Sequence, residues 1–244
     1  MVSVCIATYN GEEYIHQQLE SILVQLAEDD EVIISDDGST DDTINIIQSF
    51  GDSRIQLYFA NSHYFKLNFE NALNHATGDY IFLSDQDDIW LVGKYDRCLK
   101  ALQTYDLVVT NSTVVNDEMH VVIPSFFEYY DSGKGICKNS INNTYFGACM
   151  AFRRKVLNFA LPFPKTREIG HDIWLGLVAE MIGNVNFIDE PYLLYRRHDL
   201  SLTNISRSLS NRSNRSLTKK IGSRFIVLYH VTTFYLKYTL CRKN

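Results

Sequence analysis

In the first half of the chain, an apolar run of strand-forming residues ends abruptly at three carboxylates. The run from Tyr80 to Ser84 predicts a buried strand, because aromatic and β-branched side chains fit a pleated sheet surface. Asp85, Asp87 and Asp88 follow it directly. Carboxylates this close repel one another at neutral pH, and a hard divalent cation bound through oxygen would relieve the repulsion. A solvated acidic turn is the alternative, and the position of the cluster in the fold decides between the two.

Strand-like and helix-like hydrophobic periods alternate along the region that leads to this cluster. Runs with a period of two predict strands, and apolar residues spaced three and four apart predict the helices between them. The predicted strands are residues 2–6, 31–35, 55–59 and 80–84, and the predicted helices are residues 15–26, 44–50 and 69–76. This order predicts an α/β fold with a doubly wound, mostly parallel sheet flanked by helices. The acidic cluster then follows a strand end, where open α/β sheets bind their ligands.

Polar loops follow the first, second and fourth predicted strands, and the fold would bring them to one edge of the sheet. They contain Tyr9, Asp37 and Asp87 respectively, so we expect these side chains to surround one crevice. No G-x-x-x-x-G-K-[ST] motif occurs, and no G-x-G-x-x-G follows the first strand. A nucleotide bound here would therefore have its phosphates neutralised by a metal on the aspartates. Tyr9 suits stacking on a base, and Asp37 suits accepting a hydrogen bond from a ring N–H or a ribose hydroxyl.

Charge and cysteine content argue against several classes of protein. Residues 1–195 contain 12 basic and 28 acidic residues, so we do not expect nucleic acid to be the main partner. The five cysteines are widely spaced and form no C-x-x-C pair, which argues against a zinc site or a disulfide framework. The residues after Met1 run into a strand pattern without the features of a signal peptide, so we expect a cytoplasmic protein.

Three short motifs occur in a definite order. They are TYNG at residues 8–11, DDGSTD at residues 36–41, and GDYIFL at residues 78–83 running into an Asp-x-Asp. In this order they resemble the inverting nucleotide-sugar glycosyltransferases of family 2, of the bacterial surface-polysaccharide type, which have the GT-A fold. The resemblance covers roughly residues 1–200. It implies a hexosyl- or rhamnosyltransferase that uses Mn²⁺ or Mg²⁺ and moves a sugar from a UDP- or dTDP-sugar to a hydroxyl of a glycan or lipid-linked acceptor.

The resemblance also implies roles for matching residues in the first half. The donor-binding positions are Ala7, Tyr9, Asp36, Asp37 and Asp85. Asp87 matches the carboxylate of the Asp-x-Asp motif that binds the metal, and Asp85 matches the one nearer the ribose. Asp88 is an additional acidic residue, for which a metal contact, an outer-sphere role and a helix-capping role stay open.

In the second half, Asp172 matches the acidic residue that acts as catalytic base. The family usually places Glu or Asp before it, whereas this chain has His171. Because an apolar helical pattern begins here, Asp172 could instead be only the N-cap of that helix. Past a predicted strand at 191–195, the resemblance implies His198 as a further metal ligand and Arg196 and Arg197 as candidates for contact with the diphosphate.

Residues 124–147 are rich in aromatic and turn-forming residues. A segment this long suits an acceptor-side loop or lid, and an insertion that packs its aromatics on the body is the alternative. We divide the chain into a nucleotide-sugar-binding half at 1–110, an acceptor and catalytic half of the same domain at 111–200, and a C-terminal extension at 201–244.

The C-terminal extension begins as a polar, basic linker and continues as an apolar and aromatic helix. Residues 225–240 are mostly apolar, but the run is too interrupted to predict a membrane span. Basic residues flank it, which suits a helix lying at an anionic lipid surface, the inner face of the plasma membrane in a cytoplasmic protein. Packing on the body and contact within a homodimer are the alternatives.

The residues leave two further functions open. A sugar-nucleotide pyrophosphorylase also has an acidic site on a similar sheet, but it usually needs a glycine-rich, basic first loop, and residues 8–11 are not basic. A non-catalytic, receiver-like binding module would explain Asp36 and Asp37 but neither the Asp-x-Asp nor the length.

Overall fold

The computed structural model describes residues 1–197 and 217–241, except for the side chains of Leu217, Lys219, Lys220 and Cys241. The strands are β1 (Val2–Thr8), β2 (Glu31–Asp36), β3 (Ile55–Phe59), β4 (Tyr80–Asp85), β5 (Ile89–Trp90), β6 (Leu107–Asn116), β7 (Val121–Ile123), β8 (Met150–Arg153) and β9 (Val185–Arg197). The helices are α1 (Ile15–Leu23), α2 (Thr43–Ser49), α3 (Phe65–His75), α4 (Lys94–Leu102), α5 (Phe126–Tyr130), α6 (Ile136–Ile141), α7 (Arg154–Ala160), α8 (His171–Ile182) and α9 (Leu217–Cys241).

The described strands form a single sheet in the order β3-β2-β1-β4-β8-β6-β9-β5, with β7 paired to β6. The four strands predicted from the alternating pattern are all parallel, β1 lying between β2 and β4 and β3 lying outside β2. β1, β2 and β4 are rich in buried apolar residues, as expected for parallel strands covered by helices on both faces, whereas β3 at the edge of the sheet is only partly buried. The GT-A architecture expected from the resemblance is confirmed.

The register of the parallel strands brings their carboxyl ends to one edge. Thr8 of β1 pairs with Asp36 of β2, and Ala7 pairs with Asp85 of β4. The polar residues that follow β1, β2 and β4 therefore start from neighbouring points, although almost eighty positions separate the first from the last. The predicted crevice lies at this edge.

The second half of the sheet is mixed. β8 runs antiparallel to both β4 and β6, while β9 runs parallel to β6 and antiparallel to β5. Residues 1–110 and 111–197 thus contribute to one continuous sheet, and their separation into two functional halves stays a prediction.

α8 is the central helix of the second half. Nine of its twelve residues are buried, and it packs against α3, α6, α7 and α9. α9 lies on the outside of this group, and within residues 217–241 and 1–197 no helix combines the length and the apolar character needed to cross a bilayer.

Candidate functional site

The acidic cluster after β4 has the geometry of a cation site. Asp85, Asp87 and Asp88 each offer a carboxylate oxygen, and these oxygens lie within 4.8 Å of one another. Asp88 is buried, and the other two are partly buried. Among the described residues, Oδ1 of Asp85 and Oδ2 of Asp88 are buried without a hydrogen-bond partner. Buried carboxylate oxygens that lack a donor fit a hard divalent cation such as Mn²⁺ or Mg²⁺.

The electrostatics of the cluster agree with this fit. Burial raises the pKa of Asp85 to about 7, and the charges of Asp87 and Asp172 act in the same direction. Burial and the neighbouring carboxylates also raise the pKa of Asp88 well above its usual range. Burial therefore favours the protonated forms of Asp85 and Asp88, and a bound divalent cation would favour their ionised forms.

The acidic loop is held in place by residues from both halves of the sheet. Gln86 accepts a hydrogen bond from the Tyr9 backbone N–H (2.9 Å), and its amide donates back to the Tyr9 carbonyl (3.1 Å). The Gln18 side chain donates to the Asp85 carbonyl at 3.0 Å. On the other side, Oδ1 of Asp88 accepts from the backbone N–H of Arg196 at 3.0 Å. Asp88 thus positions β9, and its second oxygen faces no described donor.

A buried cation, which the sequence did not predict, lies beneath the cluster. Lys94 at the start of α4 is fully buried, and its Nζ donates to the Ala148 carbonyl at 2.6 Å and lies 4.5 Å from the centre of the Trp90 ring. Burial lowers the pKa of Lys94, while the charges of Asp88 and Asp85 are among the effects that oppose this. Lys94 therefore joins the acidic loop to the turn at residues 147–149.

The side chain of Tyr9 lies at the mouth of the crevice. It is 53% exposed, although its backbone is held by Gln86. Ala7 is buried in β1 and stands in register with Asp85 of β4. Both predicted positions therefore border the acidic cluster.

Asp36 and Asp37 are also at this edge, but their carboxylates are already engaged. Asp36 accepts from the backbone N–H groups of Gly38 and Ser39 and from the hydroxyls of Thr8 and Ser39, at 2.5–3.0 Å. Asp37 accepts from three successive backbone N–H groups and one hydroxyl in residues 62–64, at 2.7–3.1 Å. A carboxylate has about four acceptor positions. In this conformation, both residues shape the loops around the crevice, and a ligand N–H would have to share or replace one of these bonds.

Asp172 lies near the acidic cluster and is not the N-cap of its helix. α8 begins at His171, the N-cap is Gly170, and no side chain caps the helix. The interpretation of Asp172 as only an N-cap is therefore wrong. Its Oδ2 accepts a hydrogen bond from the Asn143 amide at 3.1 Å, and its charge contributes to the raised pKa of Asp85. A Cβ at Gly170 would clash with the Asp172 carboxylate, so glycine allows this close approach.

His171, which stands where the family usually has Glu or Asp, is a buried packing residue in this chain. Its ring stacks on Phe69 with 4.3 Å between ring centres, and burial lowers its pKa, so that it is neutral. Its Nε2 lacks a partner among the described residues, and a Cβ at Gly147 would lie only 2.7 Å from it. His171 thus packs as an aromatic residue that fixes the start of α8.

Lys66 fixes the segment that leads into α8, and the sequence did not predict this role. Its buried Nζ donates to the carbonyls of Pro164 (2.8 Å), Thr166 (2.5 Å) and Ile169 (3.2 Å). Because these bonds join α3 to the residues before His171, they help to set the position of Asp172.

The two arginines at the end of β9 differ in their surroundings. The guanidinium of Arg196 donates to Gln17 Oε1 at 2.6 Å and lies 5.0 Å from the centre of the Tyr14 ring. Arg197 lies 4.8 Å from the centre of the Tyr195 ring, and its Nε and Nη1 are buried without a described partner. Nε of Arg196 is also buried without a described partner, so Arg197 has two such donors for an anion and Arg196 has one. His198, the other predicted metal ligand, lies outside the described residues.

The aromatic segment at 124–147 packs largely on the body. Phe126 and Phe127 are buried, and Phe126 contacts Phe146 with 3.9 Å between ring centres. Tyr129 is exposed. These contacts favour a packed insertion for the phenylalanines, and a lid role for the segment stays a prediction.

Comparisons with known proteins agree with this geometry. The model of the glycosyl transferase family 2 matches residues 3–159. The chain is 30% identical over 239 residues to the UDP-Glc:alpha-D-GlcNAc-diphosphoundecaprenol beta-1,3-glucosyltransferase WfaP of Escherichia coli, covering 94% of this chain and 92% of that protein. The fold resembles that of S. aureus TarS 1–349 in complex with UDP-GlcNAc, with a TM-score of 0.69 at 17% identity over 98% of this chain and 71% of that one. It also resembles the mannosyltransferase PcManGT from Pyrobaculum calidifontis in complex with GDP-Man and Mn²⁺, with a TM-score of 0.63 at 16% identity over 95% and 75%.

Proposed function

Because this chain belongs to glycosyltransferase family 2, we propose that it transfers a sugar, with inversion, from a UDP- or dTDP-sugar to a hydroxyl of a glycan or lipid-linked acceptor. The observation that carries the proposal is the convergence of Tyr9, the acidic cluster and Asp172 at one edge of the sheet. The name of the Escherichia coli relative, which specifies UDP-Glc and a diphosphoundecaprenol acceptor, supports this choice of donor and acceptor. We place the enzyme in the cytoplasm, at the inner face of the plasma membrane, where such an acceptor is accessible.

Asp85, Asp87 and Asp88 are the residues proposed to hold Mn²⁺ or Mg²⁺, with Asp87 as a direct ligand and His198 as a further candidate. When bound, the ion supplies positive charge that stabilises the departing nucleoside diphosphate. Arg197, whose guanidinium has buried nitrogens without a described partner, is the stronger candidate of the two arginines for contact with the same diphosphate. Arg196 is proposed to hold β9 against α1 through its bond with Gln17.

The donor nucleotide is proposed to bind between the β1 and β2 loops. The exposed ring of Tyr9 stacks on the base, and Ala7 leaves space beside Asp85 for the ribose. Asp36 and Asp37 hold the loops that form the walls. If Asp37 also accepts the ring N–H of uracil or thymine, one of the bonds from residues 62–64 must lengthen.

Asp172 is proposed to act as the general base. A hydroxyl is a weak nucleophile until a positioned carboxylate takes its proton as the new C–O bond forms. The hydrogen bond from Asn143 orients the Asp172 carboxylate, and the packed His171 ring fixes the helix that carries it. The bond from the anomeric carbon to the diphosphate breaks in the same displacement, so the configuration inverts and no enzyme nucleophile is required.

The direct test is to incubate the purified protein with UDP- and dTDP-sugars, Mn²⁺ and a diphospholipid-linked acceptor, and to determine the anomeric configuration of the product by NMR. We expect release of UDP or dTDP and a glycosidic bond of configuration opposite to that of the donor. Formation of a nucleoside triphosphate from added pyrophosphate would instead indicate a pyrophosphorylase. A product that retains the donor configuration would contradict a single displacement at the anomeric carbon.

A further inference from the structure

α9 has two different faces, and only one of them is used to pack on the protein. Val227 and Val231 are buried, and the rings of His230 and Phe234 contact Trp174 of α8, with 6.3 Å and 5.7 Å between ring centres. These contacts attach the helix to the body. The alternative that α9 packs on the body is therefore correct for this face.

The opposite face is a stripe of large apolar side chains exposed to solvent. Its members, each between 52% and 67% exposed, are Phe225, Leu228, Tyr229, Tyr235, Leu236 and Leu240. With Thr232 between them, they recur every three or four residues and so lie along one side of the helix. No part of the chain at 1–197 or 217–241 covers this stripe. A continuous exposed apolar patch indicates a binding surface more often than single exposed residues do.

The positive charge of residues 217–244 indicates which kind of partner the stripe binds. Residues 217–244 contain six Lys and Arg and no Asp or Glu, and Arg224 and Lys237 are exposed on the helix itself. Two copies of the helix brought face to face would place like charges together, because neither supplies an acidic residue. A surface that is apolar below and negatively charged above, such as an anionic bilayer, complements both features.

We propose that the exposed stripe of α9 lies in the interfacial region of an anionic lipid bilayer. The helix thereby holds the crevice close to a membrane-borne acceptor, and this second statement rests on the proposed function. The link to the crevice is structural. Ser223 of α9 contacts the Glu168 carboxylate, three residues before α8 begins, and Trp174 of α8 packs against α9. Because Asp172 lies in the first turn of α8, the helix at the lipid surface and the candidate base belong to one packed unit.

The first experiment is flotation of the full chain with vesicles, without any donor or acceptor. Wild type should bind vesicles of equal phosphatidylcholine and phosphatidylglycerol, and bind pure phosphatidylcholine much more weakly. Phe225→Glu/Tyr229→Glu should lower the partition coefficient about 25-fold or more, since one charge near an anionic surface changes binding about fivefold. The matched control is Val24→Glu/Val121→Glu, which adds the same charge at exposed apolar positions just after α1 and on β7 and should bind like wild type.

Two results would overturn the proposal. One is equal vesicle binding by wild type and the Phe225→Glu/Tyr229→Glu variant. The other is a wild-type protein that does not bind vesicles and forms a dimer which this variant dissociates, because the stripe would then be a contact between copies. Since no sugar donor is present, vesicle binding can succeed even if the protein has no transferase activity.

A second measurement tests the position of the crevice. Cys137 is exposed on α6, which packs against α8 and α9. A fluorophore on Cys137, with Cys241 replaced by serine, should be quenched by lipids that carry a spin label on the head group. The same fluorophore on Ser53→Cys, next to the edge strand β3, in a Cys137→Ser/Cys241→Ser protein should be quenched less. Equal quenching at both positions would overturn the proposed orientation.

Discussion

Asp172 is the side chain on which turnover should depend most directly. Asp172→Asn keeps the size of the side chain but cannot accept the acceptor proton, so kcat should fall about 10²–10⁴-fold. Donor affinity should change little, because the residue lies on the acceptor side of the proposed site. The measurement is the initial rate of transfer together with donor titration in the presence of Mn²⁺. A variant with full activity would remove Asp172 as the base.

The raised pKa of Asp85 predicts how the stability of the metal-free protein depends on pH. Its pKa is raised to about 7 in the folded protein, whereas an unfolded chain has an Asp pKa of ~3.9. Between these values the folded state binds more protons than the unfolded state, so this group lowers the free energy of unfolding as pH rises from about 4 to about 7. Asp85→Asn removes that effect. In EDTA, the Tm of the variant relative to wild type should rise across this range and level off above it, and a constant difference would disagree.

Single residues also show which parts of the site sequence patterns cannot predict. Asp87 and Asp172 stand in recognisable motifs, whereas Lys94 and Lys66 do not. The partners of Lys94 and Lys66 are carbonyl groups 54 and about one hundred positions away, so their roles exist only once the chain has folded. Likewise, the sequence places Asp37 at the crevice but contains no sign that residues 62–64 occupy its carboxylate.

The helices and strands predicted from periodicity are those that are long and regular enough to carry a pattern. β1 to β4 and α1 to α3 were predicted with small differences at their ends. The two-residue strand β5 exists because it pairs with β9, and α5 and α6 are too short to show a helical period. Such elements depend on tertiary contacts that one sequence does not display.

Replacement by alanine should have opposite effects on the free energy of unfolding at two helical glycines. Replacing glycine by alanine inside a helix normally stabilises it by up to ~1 kcal/mol. This is expected for Gly222→Ala in α9, where no described atom outside the adjoining helix backbone lies within 4 Å of the new Cβ. In α8, a Cβ at Gly176 would overlap the buried Tyr145 ring. Gly176→Ala should therefore lower the free energy of unfolding by about 1–3 kcal/mol. Urea denaturation of both variants measures this, and two stabilised proteins would show that the contact at Gly176 is loose.

For the molecule as a whole, the alternation of strands and helices predicts the parallel half of the sheet and the meeting of its loops. The mixed half was not predicted in detail, because β8 enters between β4 and β6 against their direction after a long segment of short elements. That insertion brings Gly147 and the start of α8 next to the acidic cluster. The position of the candidate base thus depends on the mixed half of the sheet, which the sequence pattern predicts least well.

The crevice is proposed to bind a nucleotide sugar through a divalent cation on the acidic cluster. The most direct measurement is thermal stabilisation by UDP- and dTDP-sugars, with and without Mn²⁺, for wild type, Asp87→Ala and the exposed control Asp96→Ala on α4. We expect at least one nucleotide sugar to raise the Tm of wild type and Asp96→Ala only when Mn²⁺ is present, and we expect Asp87→Ala to lose this effect. Stabilisation that is the same in EDTA, or that persists in Asp87→Ala, would contradict this proposal.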